Sequence, residues 1–345
     1  MDDLSPVVII AGPTASGKTG LALKVAEQCN GEIVNADSMQ VYHELSILTA
    51  RPGPDETSRA PHHLFGCMSA AERCSAGKWL TMAQAAIKDI HQRGALPVVT
   101  GGTGLYLKAL TQGLAAVPQV PPEMITSITV HLEDIGGEAF KAELAAVDPV
   151  TAERLPASDR QRLIRAAAVF AVTGRTLTDW QQEQPEAPGY SAKYLNIVLM
   201  PPREDMYAAI DARFDDMMSA GAMAEAEAFK ELGLAGDLPA SRAVGVAELV
   251  RVINGELDLD LAVEKAKTAS RQLAKRQITW FKRTRPGGGL LKQNTDHCTS
   301  ANRVCITSLG LAAAIGVPKT IAGRSNGHAA QAALPVPFEA EGGRG

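Results

Sequence analysis

The sequence predicts an α/β fold built on a mostly parallel sheet flanked by helices. Short apolar runs rich in branched residues predict strands, and longer stretches with helical periodicity follow them. Because strands and helices of this size alternate, the sheet should be parallel, and its ligands should lie beyond the carboxyl ends of the strands. The predicted strands occupy residues 6–11, 32–36, 96–100 and 195–200.

A small helical insertion domain is predicted within this core. The stretch between the third and fourth strands has no strand pattern, and proline-rich segments bracket it at 117–122 and 185–190. The alternative is that these segments are ordinary loops of one domain. We assign residues 1–117 to the first part of the core, 118–190 to the insertion, 191–285 to the completion of the core and 286–345 to a weakly ordered or disordered tail.

The composition is typical of a globular protein in a reducing compartment. Of 345 residues, 46% are hydrophobic and 21% charged, and the apolar stretch before Gly12 is only five residues long. That stretch is too short for a signal sequence or a membrane span, so we expect a cytoplasmic location and no membrane partner. The cysteines form no C-x-x-C pair, so we expect reduced thiols without disulfides or structural zinc. They are Cys29, Cys67, Cys74, Cys298 and Cys305.

Charge is unevenly distributed along the chain. The formal net charge of −4 argues against a nucleic-acid partner, but eight basic residues and no acidic one lie between Lys265 and Arg285. Such a cluster can form a positive surface on an acidic protein. The alternative is a solvated helix face without a partner.

Residues 12–19, GPTASGKT, match the phosphate-binding pattern G-x-x-x-x-G-K-[ST] between a predicted strand and a predicted helix. In this pattern backbone N–H groups turn towards a phosphate, Lys18 supplies positive charge, and Thr19 can hold Mg²⁺. The fold is therefore P-loop NTPase-like, although ATP, GTP and a prenyl diphosphate would present the same oxygens. The loop residues are Gly12, Pro13, Thr14, Ala15, Ser16, Gly17, Lys18 and Thr19.

An acidic residue after the second predicted strand is a candidate catalytic group. The third strand ends in Val98-Val99-Thr100 without an acid, so the carboxylate that usually supports the metal in P-loop proteins is missing there. Asp37 is the nearest acid at a strand end. A carboxylate that faces a phosphate site supports a metal or acts as a base. The alternative is a turn or helix-capping aspartate.

Two further polar residues are candidates for the same site. Thr103 belongs to Gly101-Gly102-Thr103-Gly104, a turn that follows the third strand and opens a helix, so its hydroxyl should point into the cleft. Arg213 lies on the helix after the fourth strand, where it could neutralise a leaving diphosphate. The alternative for Arg213 is a surface ion pair with Asp211 or Asp216.

Seven segments resemble motifs of the tRNA dimethylallyltransferases, also called tRNA isopentenyltransferases. They occur in the order typical of that family and cover about residues 7–285, so the chain is identified as a member. The segments are GPTASGKT at 12–19, DSMQVY at 37–42, TARP at 49–52, PHHL at 61–64, GGTGLY at 101–106, DRQRLIRA at 159–166 and RQLAKRQITWFKR at 271–283.

The resemblance implies a reaction and a role for each matching residue. The donor is dimethylallyl diphosphate, the acceptor is N6 of the adenosine at tRNA position 37, and Mg²⁺ takes part. Asp37 is the general base, while Lys18, Thr19 and the loop amides hold the diphosphate. Thr103 and Arg213 position and stabilise the leaving group. The enzyme is expected to act as a monomer.

The resemblance also implies contacts with the anticodon stem-loop. The acceptor adenine must leave its stack to react, and this costs least in a single-stranded loop. In a segment expected to contact tRNA, the family's tyrosine and basic residue are replaced by Val246 and Ala247. The residues implied in RNA binding are Asp37, Ser38, Met39, Gln40, Gln161, Arg162, Leu163, Ile164, Arg165, Arg242, Gly245, Arg271, Lys275 and Arg276.

Two other functions are compatible with parts of the sequence. An ATP-dependent small-molecule kinase would share the fold and the phosphate-binding loop, but it would need neither the basic helix nor its Trp280-Phe281 pair. A tRNA-binding protein without activity would not need an intact Asp37, Lys18 and Thr103.

Overall fold

The predicted strands are present in the structure, with small shifts at their ends. A computed structural model describes residues 4–183, 189–284 and 290–291. The prediction for the tail, 286–345, lies outside the described residues except at 290–291. The strands are β1 (Pro6–Ala11), β2 (Gly31–Asn35), β3 (His62–His63), β4 (Leu96–Gly101), β5 (Lys193–Val198) and β6 (Leu290–Leu291).

The α/β fold with a mostly parallel sheet is confirmed. The strand order is β3-β2-β4-β1-β5-β6, and each pairing between these strands is parallel. Ile10 pairs with Thr100, and Thr100 pairs with Asn35 on its other side. The carboxyl ends of β1, β2 and β4 therefore lie in one row, which places the three loops that follow them side by side.

The described chain forms two compact units. The first ends at Thr111 and resumes at Tyr190, and the second is Gln112–Gly189. Helices of the first unit are α1 (Lys18–Cys29), α2 (Pro54–Thr57), α3 (Ala76–Gln92), α4 (Gly104–Gln112), α10 (Arg203–Ser219), α11 (Ala222–Glu231), α12 (Val246–Ile253) and α13 (Leu259–Arg283). Those of the second unit are α5 (Pro122–Ile135), α6 (Gly137–Val147), α7 (Pro149–Arg154), α8 (Arg160–Thr173) and α9 (Leu177–Gln182).

Each unit has its own apolar core. In the first, the side chains of β1 from Val7 to Ala11 are fully buried, and α1 packs on the sheet through Leu23 and Val25. In the second, Phe140 of α6 and Leu163 of α8 lie in one hydrophobic cluster. Among the described residues, no helix is both long and apolar enough to cross a membrane.

Candidate functional site

The phosphate-binding loop joins β1 to α1 and depends on two glycines. Gly17, at the N-terminus of α1, has a φ of 83°, in the left-handed region that glycine adopts without strain. At Gly12, an added Cβ would lie 2.6 Å from the carbonyl oxygen of Leu199, just after β5, so this approach excludes a side chain. The loop leads directly into the N-terminus of α1. The partial positive charge of that helix end favours an anion.

The loops after β1 and β2 line a cavity of about 320 Å³ together with α10. Residues 14–19 of the phosphate-binding loop all lie in its wall. Asp37 and Arg213 lie in the same wall, so the structure brings these two predicted catalytic residues to the loop. The cavity therefore combines basic side chains, backbone amides and one carboxylate.

Lys18 is a half-buried cation beside this cavity. Its ammonium donates a hydrogen bond to the carbonyl oxygen of Pro13 over 2.6 Å. Burial lowers the pKa of Lys18 to about 8, the negative charge of Asp37 opposes this shift, and the positive charge of Arg213 adds to it. A bound anion would add a second negative charge beside Lys18 and favour the charged form of its ammonium.

The loop and the strand end also offer oxygen ligands for a cation. Thr19 and Asp37 both line the cavity, and Mg²⁺ commonly takes one or two protein oxygens together with phosphate oxygens and water. Ser16 is 4% exposed, and its hydroxyl has no hydrogen-bond partner within the described residues. A buried hydroxyl of this kind is ready to bond a ligand placed in the cavity.

Asp37 is held at the end of β2 by the fully buried amide side chain of Asn35. The Asn35 oxygen accepts from the N–H of Asp37 over 2.7 Å, and its nitrogen donates to the carbonyl oxygen of Asp37 over 3.0 Å. One carboxylate oxygen of Asp37 accepts from the N–H of Met39 over 2.9 Å. Asp37 is therefore a turn aspartate whose position also places it in the cavity wall.

Thr103 binds the neighbour of Asp37. Its hydroxyl oxygen accepts a hydrogen bond from the N–H of Ser38 over 3.0 Å and donates to the Ser38 hydroxyl over 3.3 Å. The sequence led us to expect this hydroxyl to point into the cleft, but in the structure both of these contacts are with Ser38. Thr103 therefore ties the turn after β4 to the turn after β2.

Arg213 is directed at the phosphate-binding loop rather than at a surface acid. Its guanidinium donates a hydrogen bond to the hydroxyl of Thr14. Burial lowers the pKa of Arg213, and the charge of Asp37 opposes this shift. Asp211, one of the two acids considered for a surface pair, instead binds Arg271 at 2.6 Å.

One wall of the cavity depends on a residue that the sequence did not single out. The carboxylate of Glu225, on α11, accepts from the N–H groups of Ser46, Ile47 and Leu48 at 2.7 to 2.8 Å. It also accepts from the Ser46 hydroxyl at 2.9 Å. The turn that Glu225 holds leads into 49–52, three of whose residues line the cavity.

The turn after β2 supports the same wall. Gln40 lines the cavity, and its side-chain nitrogen donates to the carbonyl oxygens of Thr49 and Ala50, both at 2.9 Å. Ser38 and Met39 are half-buried beside it. The predicted RNA-binding residues 38–40 therefore lie next to the candidate base.

The basic helix α13 is partly neutralised by α10. Lys267 pairs with Asp215 at 2.7 Å, and Arg271 pairs with Asp211. Lys275 is exposed, and Arg276 next to it is exposed as well. Of the predicted RNA-binding residues on this helix, Arg271 is therefore paired with an acid, whereas Lys275 and Arg276 are exposed.

The predicted RNA-binding residues of the second unit differ in their exposure. Gln161 and Arg162 are exposed, and Arg162 pairs with Asp159 at 3.1 Å. Arg165 is half-buried and donates to the carbonyl oxygen of Pro118 over 3.4 Å. Ile164 is half-buried too. Leu163 is a correction to the prediction, because its fully buried side chain packs the core of this unit and does not face solvent.

Arg242 and Gly245 lie on either side of a turn before α12. Arg242 is exposed in the 3₁₀ turn Ala240–Arg242. Gly245 has a φ of 91°, and a Cβ there would lie 3.0 Å from Leu48 and 3.1 Å from Phe214. The positive φ and the close packing at this position therefore both favour glycine over any residue with a side chain.

Gln277 of α13 also contacts the site and was missed by the sequence analysis. Its side chain bonds the N–H of Thr14 and the carbonyl oxygen of Gly102. One signal was available, because Gln277 falls at the spacing of the small or apolar residues Ser270, Ala274 and Phe281, which form the buried face of α13.

Comparison with known proteins places this chain in a family. A model described as "IPP transferase" matches residues 40–284, and one described as "Isopentenyl transferase" matches residues 5–62. A protein of Phenylobacterium zucineum named tRNA dimethylallyltransferase is 50% identical over 275 residues, which cover 79% of this chain and 88% of that protein.

Solved structures give the same result. A tRNA isopentenylpyrophosphate transferase of Staphylococcus epidermidis has a TM-score of 0.59 at 31% identity and covers 93% of this chain and 100% of that one. A eukaryotic dimethylallyltransferase, described as acting on tRNA, has a TM-score of 0.68 at 28% identity and covers 80% of this chain and 70% of that one.

A parallel sheet whose first strand leads through a glycine-rich loop into a helix, with a cavity beside that loop, defines a class of α/β proteins. Within that class, this chain belongs to the tRNA dimethylallyltransferase family and is a prenyltransferase. The family expected from the sequence motifs is confirmed. These similarities give no support to the alternative of a small-molecule kinase.

Proposed function

We propose that this chain transfers a dimethylallyl group from dimethylallyl diphosphate to N6 of the adenosine at tRNA position 37, next to the anticodon, giving N6-isopentenyladenosine. One observation carries the proposal: Lys18, Arg213 and Asp37 line a single cavity. Two cations suit a departing diphosphate, and one carboxylate suits the proton of an attacking amine. The names of the relatives support the same transfer.

The donor's diphosphate binds to residues 12–19. The bond between C1 of the dimethylallyl group and the diphosphate oxygen breaks, and the electron pair leaves with the diphosphate. Lys18 and Arg213 stabilise the charge that develops on that oxygen. Ser16, whose buried hydroxyl has no partner among the described residues, donates a further hydrogen bond to the diphosphate.

Mg²⁺ is the cation proposed for this site. Thr19 would hold it through its hydroxyl, and Asp37 lies close enough to the same cavity to bind one of its waters. When bound, Mg²⁺ neutralises part of the diphosphate charge. Thr19 is the second residue of α1 and lines the same cavity as the loop residues that precede it.

The acceptor adenine enters the cavity in an extrahelical position. Its N6 attacks C1, a nitrogen–carbon bond forms, and the N6 proton passes to the carboxylate of Asp37. The free amine of adenine is a weak nucleophile, so removing this proton and holding the reactants together are both needed. Asn35 and Thr103 act through the turn that carries Asp37.

The tRNA binds to exposed polar and basic residues. Lys275 and Arg276 on α13 contact phosphates of the anticodon stem-loop, and Arg242, which is also exposed, contributes a further contact. In the second unit, Gln161 and Arg162 contribute further contacts. We also propose that the chain acts as a monomer in the cytoplasm, where its substrate tRNA is found, because the groups needed for transfer come from a single chain.

A transfer assay tests this function against the kinase alternative. The protein is incubated with Mg²⁺, dimethylallyl diphosphate and unmodified tRNA that has adenine at positions 36 and 37, and the nucleosides are analysed by mass spectrometry. We expect N6-isopentenyladenosine in amounts that depend on the protein, and no adduct when position 37 is guanine. Absence of the adduct at every salt concentration, with ATP turnover on a small alcohol, would contradict the proposal.

A further inference from the structure

The side chain of Gln277 bridges two loops of the site. Its carbonyl oxygen accepts a hydrogen bond from the N–H of Thr14 over 2.8 Å, and its nitrogen donates to the carbonyl oxygen of Gly102 over 3.1 Å. Thr14 belongs to the phosphate-binding loop after β1, and Gly102 belongs to the turn after β4. One amide thus uses both its donor and its acceptor to join them.

The close packing of α13 makes this bridge possible. A Cβ on Gly102 would collide with the side-chain nitrogen of Gln277, and a Cβ on Gly104 would collide with the ring of Trp280. Two glycines in the turn therefore let α13 approach within hydrogen-bond distance. The turn and the helix fit each other through residues one helical turn apart.

A continuous path of contacts runs from the bridge to the proposed base. Gln277 joins Thr14 to Gly102, and the next residue, Thr103, accepts the hydrogen bond from Ser38. Ser38 directly follows the proposed base in the sequence. The phosphate-binding loop and the turn that carries the base are thus held at a fixed separation by three hydrogen bonds.

We infer that Gln277 is a positioning residue of the transfer reaction, which sets the phosphate-binding loop against the turns that carry Thr103 and the proposed base. The inference rests on the proposed function. Displacements of about 1 Å between reacting groups can lower a rate by roughly two orders of magnitude, so a tie of this kind affects the chemical step. Because Lys275 and Arg276 lie on the same helix as Gln277, α13 carries basic residues proposed to bind tRNA and also contacts the loop proposed to bind diphosphate.

The variant Gln277→Met tests the inference, because methionine has a similar length but cannot make either hydrogen bond. The variant Gln277→Glu keeps an acceptor for Thr14 and loses the donor to Gly102. Gln272→Met, at an exposed position of the same helix, is the matched control. It makes the same chemical change away from the site.

Two measurements are made on each variant of the full chain. The first is the single-turnover rate of N6-isopentenyladenosine formation, with the dissociation constant of tRNA measured in parallel. The second is hydrogen–deuterium exchange of the peptide that contains Thr14, without substrates. We expect Gln277→Met to lose about tenfold or more in rate, to bind tRNA within about twofold of the parent chain, and to exchange the Thr14 amide faster. Gln272→Met should match the parent in all three.

A purely structural role gives a different pattern. In that case Gln277→Met would lower the melting temperature but keep the parent rate at temperatures where it is folded, which overturns the inference. Unchanged exchange at Thr14 overturns it as well. If Gln277→Met does not fold, Gln277→Glu decides in the same assays, and a parent-like rate for it overturns the inference. If the parent chain makes no N6-isopentenyladenosine, the proposed function fails, whereas the exchange experiment still tests the bridge by itself.

Discussion

The backbone N–H of Ser38 donates a hydrogen bond to the hydroxyl oxygen of Thr103 over 3.0 Å. These residues lie 65 positions apart, in the turns that follow β2 and β4. The bond therefore fixes the turn that carries Asp37 to the turn in which α4 begins. Thr103 acts on the proposed base through this neighbour.

Replacing Thr103 tests that relationship. Thr103→Val keeps the shape but leaves the half-buried N–H of Ser38 without its acceptor, at a cost of about 1 kcal/mol. We expect Thr103→Val to lower the single-turnover rate about tenfold or more, because the base is no longer held in place. Thr103→Ser, which keeps the hydroxyl, should retain most of the rate. Equal rates for the two variants would contradict this role.

Lys18 should take up a proton when the donor binds. Its pKa is lowered to about 8 mainly by burial, and a diphosphate beside the ammonium should raise that pKa again. At pH 8.5 binding should therefore absorb protons. Calorimetric titration with dimethylallyl diphosphate in two buffers of different ionisation enthalpy measures this uptake. The Lys18→Met variant corrects for protons taken up by the ligand, and the same uptake in both proteins would contradict the assignment.

The same pKa predicts how stability depends on pH in the absence of ligand. Because the folded state binds the Lys18 proton less tightly than the unfolded chain does, charged Lys18 destabilises the fold below pH 8. This cost is relieved as the pH rises from about 8 to the unfolded value of 10.5. Urea unfolding of the parent chain relative to Lys18→Met should show a difference that grows in favour of the parent across this interval. A constant difference would disagree with the lowered pKa.

The basic residues of α13 should contribute unequally to tRNA binding. Lys275 and Arg276 are exposed, whereas Arg271 is paired with Asp211 at 2.6 Å. Changing Lys275 or Arg276 to Ala should weaken tRNA binding and lower the slope of log K against log salt by about 0.7 to 0.9 for each phosphate that the variant no longer neutralises. Arg271→Ala should change this slope less. A larger change for Arg271 would indicate that its ion pair opens on binding.

Glu225 should matter for stability through the turn that it holds. Its carboxylate accepts from three N–H groups and one hydroxyl. Glu225→Ala leaves these donors without their acceptor, and we expect a loss of about 2 to 3 kcal/mol in the free energy of unfolding. Glu227→Ala, an exposed position on the same helix, should change it by less than about 0.5 kcal/mol. Urea unfolding measures both, and similar losses would rule out the special role of Glu225.

The sheet could be predicted from the sequence because its strands carry strong local signals. β1 was predicted with the bounds that it has, since an apolar run ends at the glycine-rich loop. β5 begins two residues before the predicted start. Its first residues, Lys193 and Tyr194, are not buried, so they do not belong to the apolar run from which the strand was predicted. β3 is only His62–His63, and its pairing with β2 leaves no periodic signal in so short a segment.

The polar contacts within the site were less predictable. Lys18 and Asp37 line one cavity, as the order of strands and loops predicts, because the loops after parallel strands converge on one edge of the sheet. The contact between Thr14 and Gln277 joins residues 263 positions apart, and that between Leu48 and Glu225 joins residues 177 positions apart. A single sequence carries no local pattern for such pairs, since they depend on how the helices pack.

Replacing the proposed base tests the central claim most directly. Asp37→Asn keeps the size of the side chain and an acceptor for the N–H of Met39, but it removes the negative charge. We predict that its single-turnover rate of N6-isopentenyladenosine formation falls by about 100-fold or more, while tRNA and donor bind within about threefold of the parent values and Asp216→Asn, at an exposed position, keeps the parent rate. A rate for Asp37→Asn within about twofold of the parent rate, with the same product, would contradict the account.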